Sequence, residues 1–410
     1  MLDRFAQIRA ATEALAAPLS PEDCAGQSMP DASPVKWHLA HTSWFFETFV
    51  LEREQPGHVP FDPAFRVLFN SYYQTVGPQH ARPERGLLTR PDLERVLAYR
   101  EHVSEAVADL LARGALSPAA REIVEIGLHH EQQHQELILT DLLHLFSRNP
   151  LEPAYRAMAP RAQAKPTPLR FVAHAGGLVE VGHAGDGFAF DNEGPRHAFH
   201  LTPFELGSRL VTNGEYRDFV EDGGYARPEL WLSDAWATVE AEGWQAPLYW
   251  RRDGDAFSQL GLHGRQELDE HDPVCHVSFY EADAYARWAG ARLPSEQEWE
   301  TLASGRSVAG NFVESGALAP RGADERDDAP LQLFGDCWEW TCSPYGAYPG
   351  YAPPEGALGE YNGKFMANQL VLRGGSCATP ASHVRASYRN FFFPDARWQW
   401  SGIRLARDVR

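Results

Sequence analysis

Two histidines stand four residues apart in His130-Glu-Gln-Gln-His134. On an α-helix that spacing turns the side chains by only about 40° relative to one another, so both imidazoles can address one metal ion. The row Ile123, Ile126, His130, His134, Ile138, Leu142, Leu145 keeps steps of three and four, which places both histidines on the face that enters a core. Inward imidazoles need partners, either hydrogen bonds or a metal. His41, on the row Trp37, His41, Phe45, Thr48, can supply a third nitrogen from a facing helix, as metal sites in bundles do. Three histidines would leave coordination positions open. An all-imidazole site suits zinc, copper, iron or nickel, and spacing does not choose among them.

Other residues compete for these roles or extend them. His38 lies on a different face from Trp37 and Phe45 and reads as a supporting or surface histidine, and His129 and His144 lie off the inward row and read as structural. His130-Glu131-Gln132-Gln133-His134 formally matches the HExxH pattern of a zinc protease, a reading weakened by the third histidine lying upstream. Tyr72-Tyr73 could bring a phenol to the metal as proton donor or redox partner, or could be packing anchors. Arg82 and Arg85 follow in the same segment, spaced to clamp a carboxylate or else simply solvated.

The elements that must position these groups can be read from periodicity. Phe5, Ile8, Thr12 and Leu15 mark a first helix, each helix presenting one inward face, and the Trp37 row marks a second. A third starts after Thr89-Arg90-Pro91 and runs through Val96, Tyr99, Val103, Val107 and Leu110; the fourth starts at Ser117-Pro118, a capping residue before proline at the first helical position. Four amphipathic helices indicate a bundle. A long irregular segment, 56–90, separates the second from the third and carries the tyrosines and arginines, and long loops on rigid helices often carry function.

Only six of 34 glycines lie before Arg170, so the two halves obey different rules. Pro150, Pro153, Pro160, Pro166 and Pro168 mark an extended linker. The expected division is a helical domain at 1–150, a linker at 151–168, and a loop-rich α+β domain at 169–410 with one clear helix around Glu281 to Ala289. A net charge of −19, from 37 basic and 56 acidic side chains, repels phosphate backbones and anionic lipid, which argues against nucleic acid and membrane partners. No apolar run approaches the roughly 20 residues of a spanning helix and the start is amphipathic, so a cytoplasmic protein is expected. Cys24, Cys275, Cys337, Cys342 and Cys377 lack CxxC spacing and read as reduced, mostly buried thiols.

Trp37-His-Leu-Ala-His41 with His130-Glu-Gln-Gln-His134 resembles the DinB-like four-helix bundle of EgtB-type sulfoxide synthases of ergothioneine biosynthesis. The second half is similar to the sulfatase-modifying-factor domain, with its C-type-lectin-like fold. The motifs there are Gly177-Leu-Val-Glu-Val-Gly182, Asn192-Glu-Gly-Pro195, Val211-Thr-Asn-Gly-Glu-Tyr216, Ala291-Arg-Leu-Pro-Ser-Glu296 to Trp299-Glu300, Gly335-Asp-Cys-Trp-Glu-Trp340 and Arg373-Gly-Gly-Ser376. The resemblance implies Fe(II) held by His41, His130 and His134, with O2 as co-substrate. It implies C–S bond formation between hercynine (N-α-trimethylhistidine) and a thiol, giving a sulfoxide. Forming that bond and oxidising sulfur together supply the four electrons that reduce O2, so no external reductant is required. It further implies that Tyr72 or Tyr73 assists the oxygen chemistry and that Arg82 and Arg85 take the thiol's carboxylate. The run Asn70-Ser-Tyr-Tyr73 looks like that of a subgroup that uses free cysteine in preference to γ-glutamylcysteine, and the resemblance would set Gln133 against the hercynine imidazole. Asn390, Phe391 and Phe392 would help to bind hercynine, with Phe393, Trp398 or Trp400 adding aromatic surface near the trimethylammonium.

Alternatives keep the site and change the partners: γ-glutamylcysteine, histidine itself as in ovothiol synthesis, or a seleno-sugar. More distant readings are a zinc-dependent thiol transferase and a ligand-binding module with a structural zinc. The cysteine pair that formylglycine-generating enzymes use near the C-terminus is not evident, because no cysteine follows Cys377.

Overall fold

A computed structural model describes residues 1–158, 166–254, 256–324 and 330–409. Part of the expected linker, 159–165, lies outside the described residues. Two compact units result: Met1–Arg156 together with Glu355–Tyr361, and Ala157–Pro354 together with Asn362–Arg410.

The first unit is the expected bundle. Its long helices are α1 (Leu2–Ala16), α2 (Val35–Phe46), α3 (Leu93–Ala112) and α4 (Pro118–Ser147). Helix α1 packs on α3 and α4, and α2 packs on the same two helices. Both later starts follow from capping: Asp92 accepts from the Arg95 N–H, and Ser117 accepts from the Ala120 N–H with Pro118 behind it. One expectation needs correction. Helix α2 does not present a single inward face, because every residue from Val35 to Phe46 is buried and the chain continues into a buried π-helical turn, Glu47–Leu51. The loops before and after α2 pack over the face that an ordinary bundle helix gives to water.

The contact of α4 with α2 is close. A Cβ at Gly127 would stand 2.6 Å from the Phe46 ring and 2.9 Å from that of Phe45. Behind the two histidines of α4, Glu131 is fully buried between Arg9 Nη1 at 2.9 Å and Arg100 Nη2 at 2.8 Å, and it accepts from Thr12 Oγ1 at 2.7 Å. Burial pushes this carboxyl up, but the two guanidinium groups outweigh it and hold it at about 2. These bonds fix the rotation of α4 about its own axis.

The second unit contains small sheets connected by loops. The strands are β1 (Phe171–His174), β2 (Gly177–Val181), β3 (His197–Leu201), β4 (Phe204–Gly207), β5 (Trp250–Asp253), β6 (Ala256–Gly261), β7 (Gly264–Glu267), β8 (Trp338–Pro344), β9 (Leu370–Arg373), β10 (Asn390–Phe392), β11 (Ser401–Gly402) and β12 (Ala406–Asp408). They form sheets of order β1-β4-β12, β10-β9-β8-β11, β2-β3 and β5-β6-β7, antiparallel except at β11-β8. The expected helix is present as Phe279–Trp288. Three further helices, Asn213–Glu221, Ser233–Glu242 and Glu296–Ala303, were not expected. Two of them carry capping boxes, Thr212 with Glu215 and Ser295 with Glu298, so short helices were signalled at their starts and missed for want of periodic length.

The motifs of this half build its interior. Glu339 of the Gly-Asp-Cys-Trp-Glu-Trp run accepts from Arg404 Nε at 2.7 Å and from Trp299 Nε1 at 2.8 Å. Arg373 of Arg-Gly-Gly-Ser donates to Glu296 at 2.8 Å and to Glu300 at 3.0 Å. All five of these charged groups are buried, and paired buried charges hold loops in one arrangement. Trp400 is 2% exposed and packs with His276, so it is core and not ligand-facing surface.

Candidate metal centre in the helical unit

Helix α2 places Trp37, His41 and Trp44 in one column, since steps of four and three return to the same face. The His41 ring stacks on Trp37 at 4.5 Å and on Trp44 at 5.4 Å, nearly parallel to both. Arg85 extends the column, its guanidinium carbon 3.4 Å from the centroid of Trp37. Helix α4 brings His130 and His134 opposite. One nitrogen from each of His41, His130 and His134 lies within 4.8 Å of the others, and all three residues are buried.

Hydrogen bonding fixes where the lone pairs point. His41 Nδ1 donates to the Phe69 carbonyl at 2.6 Å, which leaves Nε2 bare. That Nε2 faces His130 Nε2 at 3.1 Å. Two neutral rings can satisfy such a pair with one proton only, and His130 Nδ1 is buried with no hydrogen-bond partner. Converging bare nitrogens and an orphaned ring nitrogen are what a bound cation would reconcile, so the residues fit a metal ion. Burial holds all three rings in the neutral form that ligation needs: it pushes His130 down to about 3 and His41 and His134 well below the ordinary value, the neighbouring imidazoles adding to the shift for the last two. Among the described residues the group contains three imidazoles and no thiolate or carboxylate.

The other expected site residues divide. Tyr73 is fully buried; its N–H donates to Asn70 Oδ1 at 3.1 Å, and Asn70 Nδ2 returns a bond to the Tyr73 carbonyl at 3.1 Å. Its ring packs on Trp44 at 5.6 Å and stacks on Tyr72 at 4.6 Å. Burial, with Tyr72 and Tyr361 beside it, raises its phenol well above the ordinary value. Arg85 is buried, donates to Ser33 Oγ at 2.8 Å and is pushed down to about 9 by burial. Arg82 is exposed and donates to the Asp31 carbonyl. In the second unit Asn390 Oδ1 accepts from the Phe391 N–H at 2.9 Å, and Phe391 stacks on Tyr345 at 3.9 Å. Phe392 is half-buried on the same strand, Trp398 is half-buried and Phe393 is 56% exposed.

One residue was missed. Tyr361 belongs to the helical unit through the segment 355–361, its phenol donates to Gln133 Oε1, and its ring lies 5.9 Å from that of His130. Glu360 anchors this segment by accepting from the N–H groups of Gln74 and Thr75, both at 3.0 Å. The zinc-protease reading is overturned: Glu131, which would be its general base, is fully buried and paired with Arg9 and Arg100.

Comparison with known proteins agrees with this architecture. Residues 4–138 match the DinB superfamily, and 156–329 with 330–409 match the sulfatase-modifying factor enzyme 1-like domain. Hercynine oxygenase of Mycobacterium tuberculosis is 33% identical over 410 aligned residues, covering 93% of this chain and 92% of that protein. The chain belongs to the hercynine oxygenase family. A second member, from Mycolicibacterium thermoresistibile, is 33% identical over 93% of this chain and 88% of its own. Ergothioneine biosynthesis protein 1 of Schizosaccharomyces pombe is 28% identical over 54% of this chain and 28% of that protein. His41, His130 and His134 all lie within the residues that match the DinB superfamily. No described helix is long and apolar enough to cross a membrane.

Proposed function

We propose that this enzyme joins the sulfur of cysteine to the imidazole of hercynine and oxidises that sulfur, using O2 and an Fe(II) ion held by His41, His130 and His134. The observation that carries the reading is the convergence of three buried, neutral imidazoles in a member of the hercynine oxygenase family. The overall reaction balances as thiol plus imidazole C–H plus O2 giving the sulfoxide and water. The S–H and C–H bonds break, C–S and S–O bonds form, and the second oxygen atom leaves as water. Bound Fe(II) supplies one-electron chemistry and positions open to O2 and a thiolate.

The chain's own residues bind and position. Arg85, with Arg82 behind it on the same turn, offers donors for the thiol's carboxylate, and burial makes a charge-assisted bond from Arg85 strong. Gln133 takes the hercynine imidazole, and Asn390, Phe391 and Phe392 contribute to the rest of that substrate. Three phenols serve the oxygen chemistry. The Tyr361 ring lies 5.9 Å from that of His130 and its phenol is tied to Gln133, while Tyr73 packs on Trp44 with Tyr72 stacked on it. Burial raises the Tyr73 phenol and keeps it protonated, which suits a proton donor. The five cysteines are free thiols, one of them exposed, which supports a reducing, cytoplasmic setting.

O2 uptake by the Fe(II)-loaded enzyme tests this with hercynine plus cysteine, γ-glutamylcysteine or a seleno-sugar, and with histidine in place of hercynine, each product being weighed by mass spectrometry. Uptake coupled to hercynylcysteine sulfoxide is expected. Coupling with another donor reassigns the substrate, and no uptake with any pair contradicts the proposed reaction.

A further inference from the structure

His38 and Asp141 form a chain of hydrogen bonds that ends on one of the three converging imidazoles. Asp141 Oδ2 lies 3.0 Å from His38 Nε2, and His38 Nδ1 lies 2.8 Å from His134 Nδ1. The carboxylate is itself held by the Ser33 N–H at 2.7 Å. All of these groups are buried, with His38 2% and Asp141 5% exposed. The protons can be placed by elimination. An ionised carboxylate only accepts, so His38 Nε2 carries a hydrogen and donates it. A His38 ring with its one hydrogen on Nε2 has a bare Nδ1, which accepts, and the hydrogen of the 2.8 Å contact then sits on His134 Nδ1. His134 Nε2 is left with its lone pair, the form a metal ligand requires.

The other two imidazoles are oriented differently. A backbone carbonyl, Phe69, fixes His41, and no hydrogen-bond partner reaches His130 Nδ1. His134 is the ring of the three that is backed by a side-chain relay leading away from the cluster to a carboxylate. Nothing about the spacing of the HxxxH pattern supplies this, and His38 itself sits on α2, on the far side of the helix contact from His134.

We propose that His38 and Asp141 are positioning residues that hold His134 with Nε2 bare and thereby set the metal affinity of the centre. The inference rests on the reading of His41, His130 and His134 as ligands. Partners of this kind also raise the basicity of the ligating ring, and removing one typically lowers metal affinity by roughly 10- to 100-fold.

The test is an anaerobic titration of the full-length apoprotein with Co(II), followed by its visible absorption, in four variants. His38→Phe keeps a planar ring and removes the acceptor; a 10- to 100-fold weaker Co(II) affinity is expected. His38→Asn returns an acceptor oxygen at the place of Nδ1 and is expected to recover most of that loss, which packing alone would not do. Asp141→Ala frees the His38 tautomer and is expected to weaken binding in the same direction, and it carries the test together with His38→Asn if His38→Phe fails to fold. Affinity within twofold of the unaltered protein in both His38→Phe and Asp141→Ala, or equal losses in His38→Phe and His38→Asn, overturns the proposal. His134→Ala separates the two claims: if it binds Co(II) as tightly as the unaltered protein, the ligand assignment itself fails.

Discussion

At the scale of single residues, the column Arg85, Trp37, His41, Trp44 joins a cation, two indoles and an imidazole of the candidate metal centre by stacking. Arg85 is costly to bury and is retained beside the centre, which fits a role in binding an anion. Arg85→Ala is expected to raise KM for the thiol by 10-fold or more with iron content unchanged, and Arg82→Ala to do less, because Arg82 is exposed and engaged with a backbone carbonyl. Steady-state kinetics with metal analysis checks both; equal, negligible effects would contradict the assignment of the carboxylate site. Tyr361→Phe removes the phenol tied to Gln133 and is expected to lower sulfoxide formation by about 100-fold or more without loss of bound iron. The histidines were legible because helical spacing puts them on one face. Tyr361 was not, because 228 residues separate it from Gln133 and no local pattern marks a loop residue that returns to another unit.

Helix α4 carries His130 and His134 of the candidate centre and, between them in sequence, the arginine-paired Glu131, so its rotation and its distance from α2 both matter. Gly127 lies three residues before His130 and touches Phe45 and Phe46 so closely that Gly127→Ala must move a ring or the helix. An overpacking cost of about 1–3 kcal/mol is expected, together with weaker metal binding, and chemical denaturation alongside Co(II) titration reads both. Glu131→Gln removes the buried carboxylate from Arg9 and Arg100, leaving Arg100 the carboxylate of the exposed Glu13 at 3.2 Å, for an expected loss of about 3–5 kcal/mol. The pH dependence follows the sign of the shift. Glu131 sits at about 2 when folded against an ordinary 4.5, so its contribution is complete above about 4.5 and fades as pH falls towards 2. Denaturation curves across that window should show the decline in the parent protein and a flatter profile in Glu131→Gln. The four bundle helices were legible from periodicity and caps. The encasement of α2 was not, because burial of its outer face depends on loops with no periodic pattern, and helices of eight to ten residues in the second unit are too short for periodicity to register.

For the whole molecule, the two units have separate interiors, one organised around imidazoles and the Arg9–Glu131–Arg100 cluster, the other around Glu339–Arg404 and Glu296–Arg373. A ligand that binds only the folded form stabilises the unit that holds it, by about 2.7 kcal/mol at a hundredfold excess over Kd. Fe(II) or Co(II) is therefore expected to raise the unfolding transition of the helical unit and to leave that of the second unit in place; a shift of the second transition alone, seen by calorimetry, would contradict the location of the metal. The fold class was legible because each half carries its own residue pattern. The membership of 355–361 in the helical unit was not, since it is a property of tertiary contact. The proposed reaction requires that O2 be reduced by the two substrates alone. The most direct measurement is the ratio of O2 consumed to sulfoxide formed by the Fe(II)-loaded enzyme with hercynine and cysteine, without added reductant and with 18O2. One O2 per product, with one labelled oxygen in the sulfoxide, is the expected result; product that requires a reductant, or that forms without O2, would contradict it.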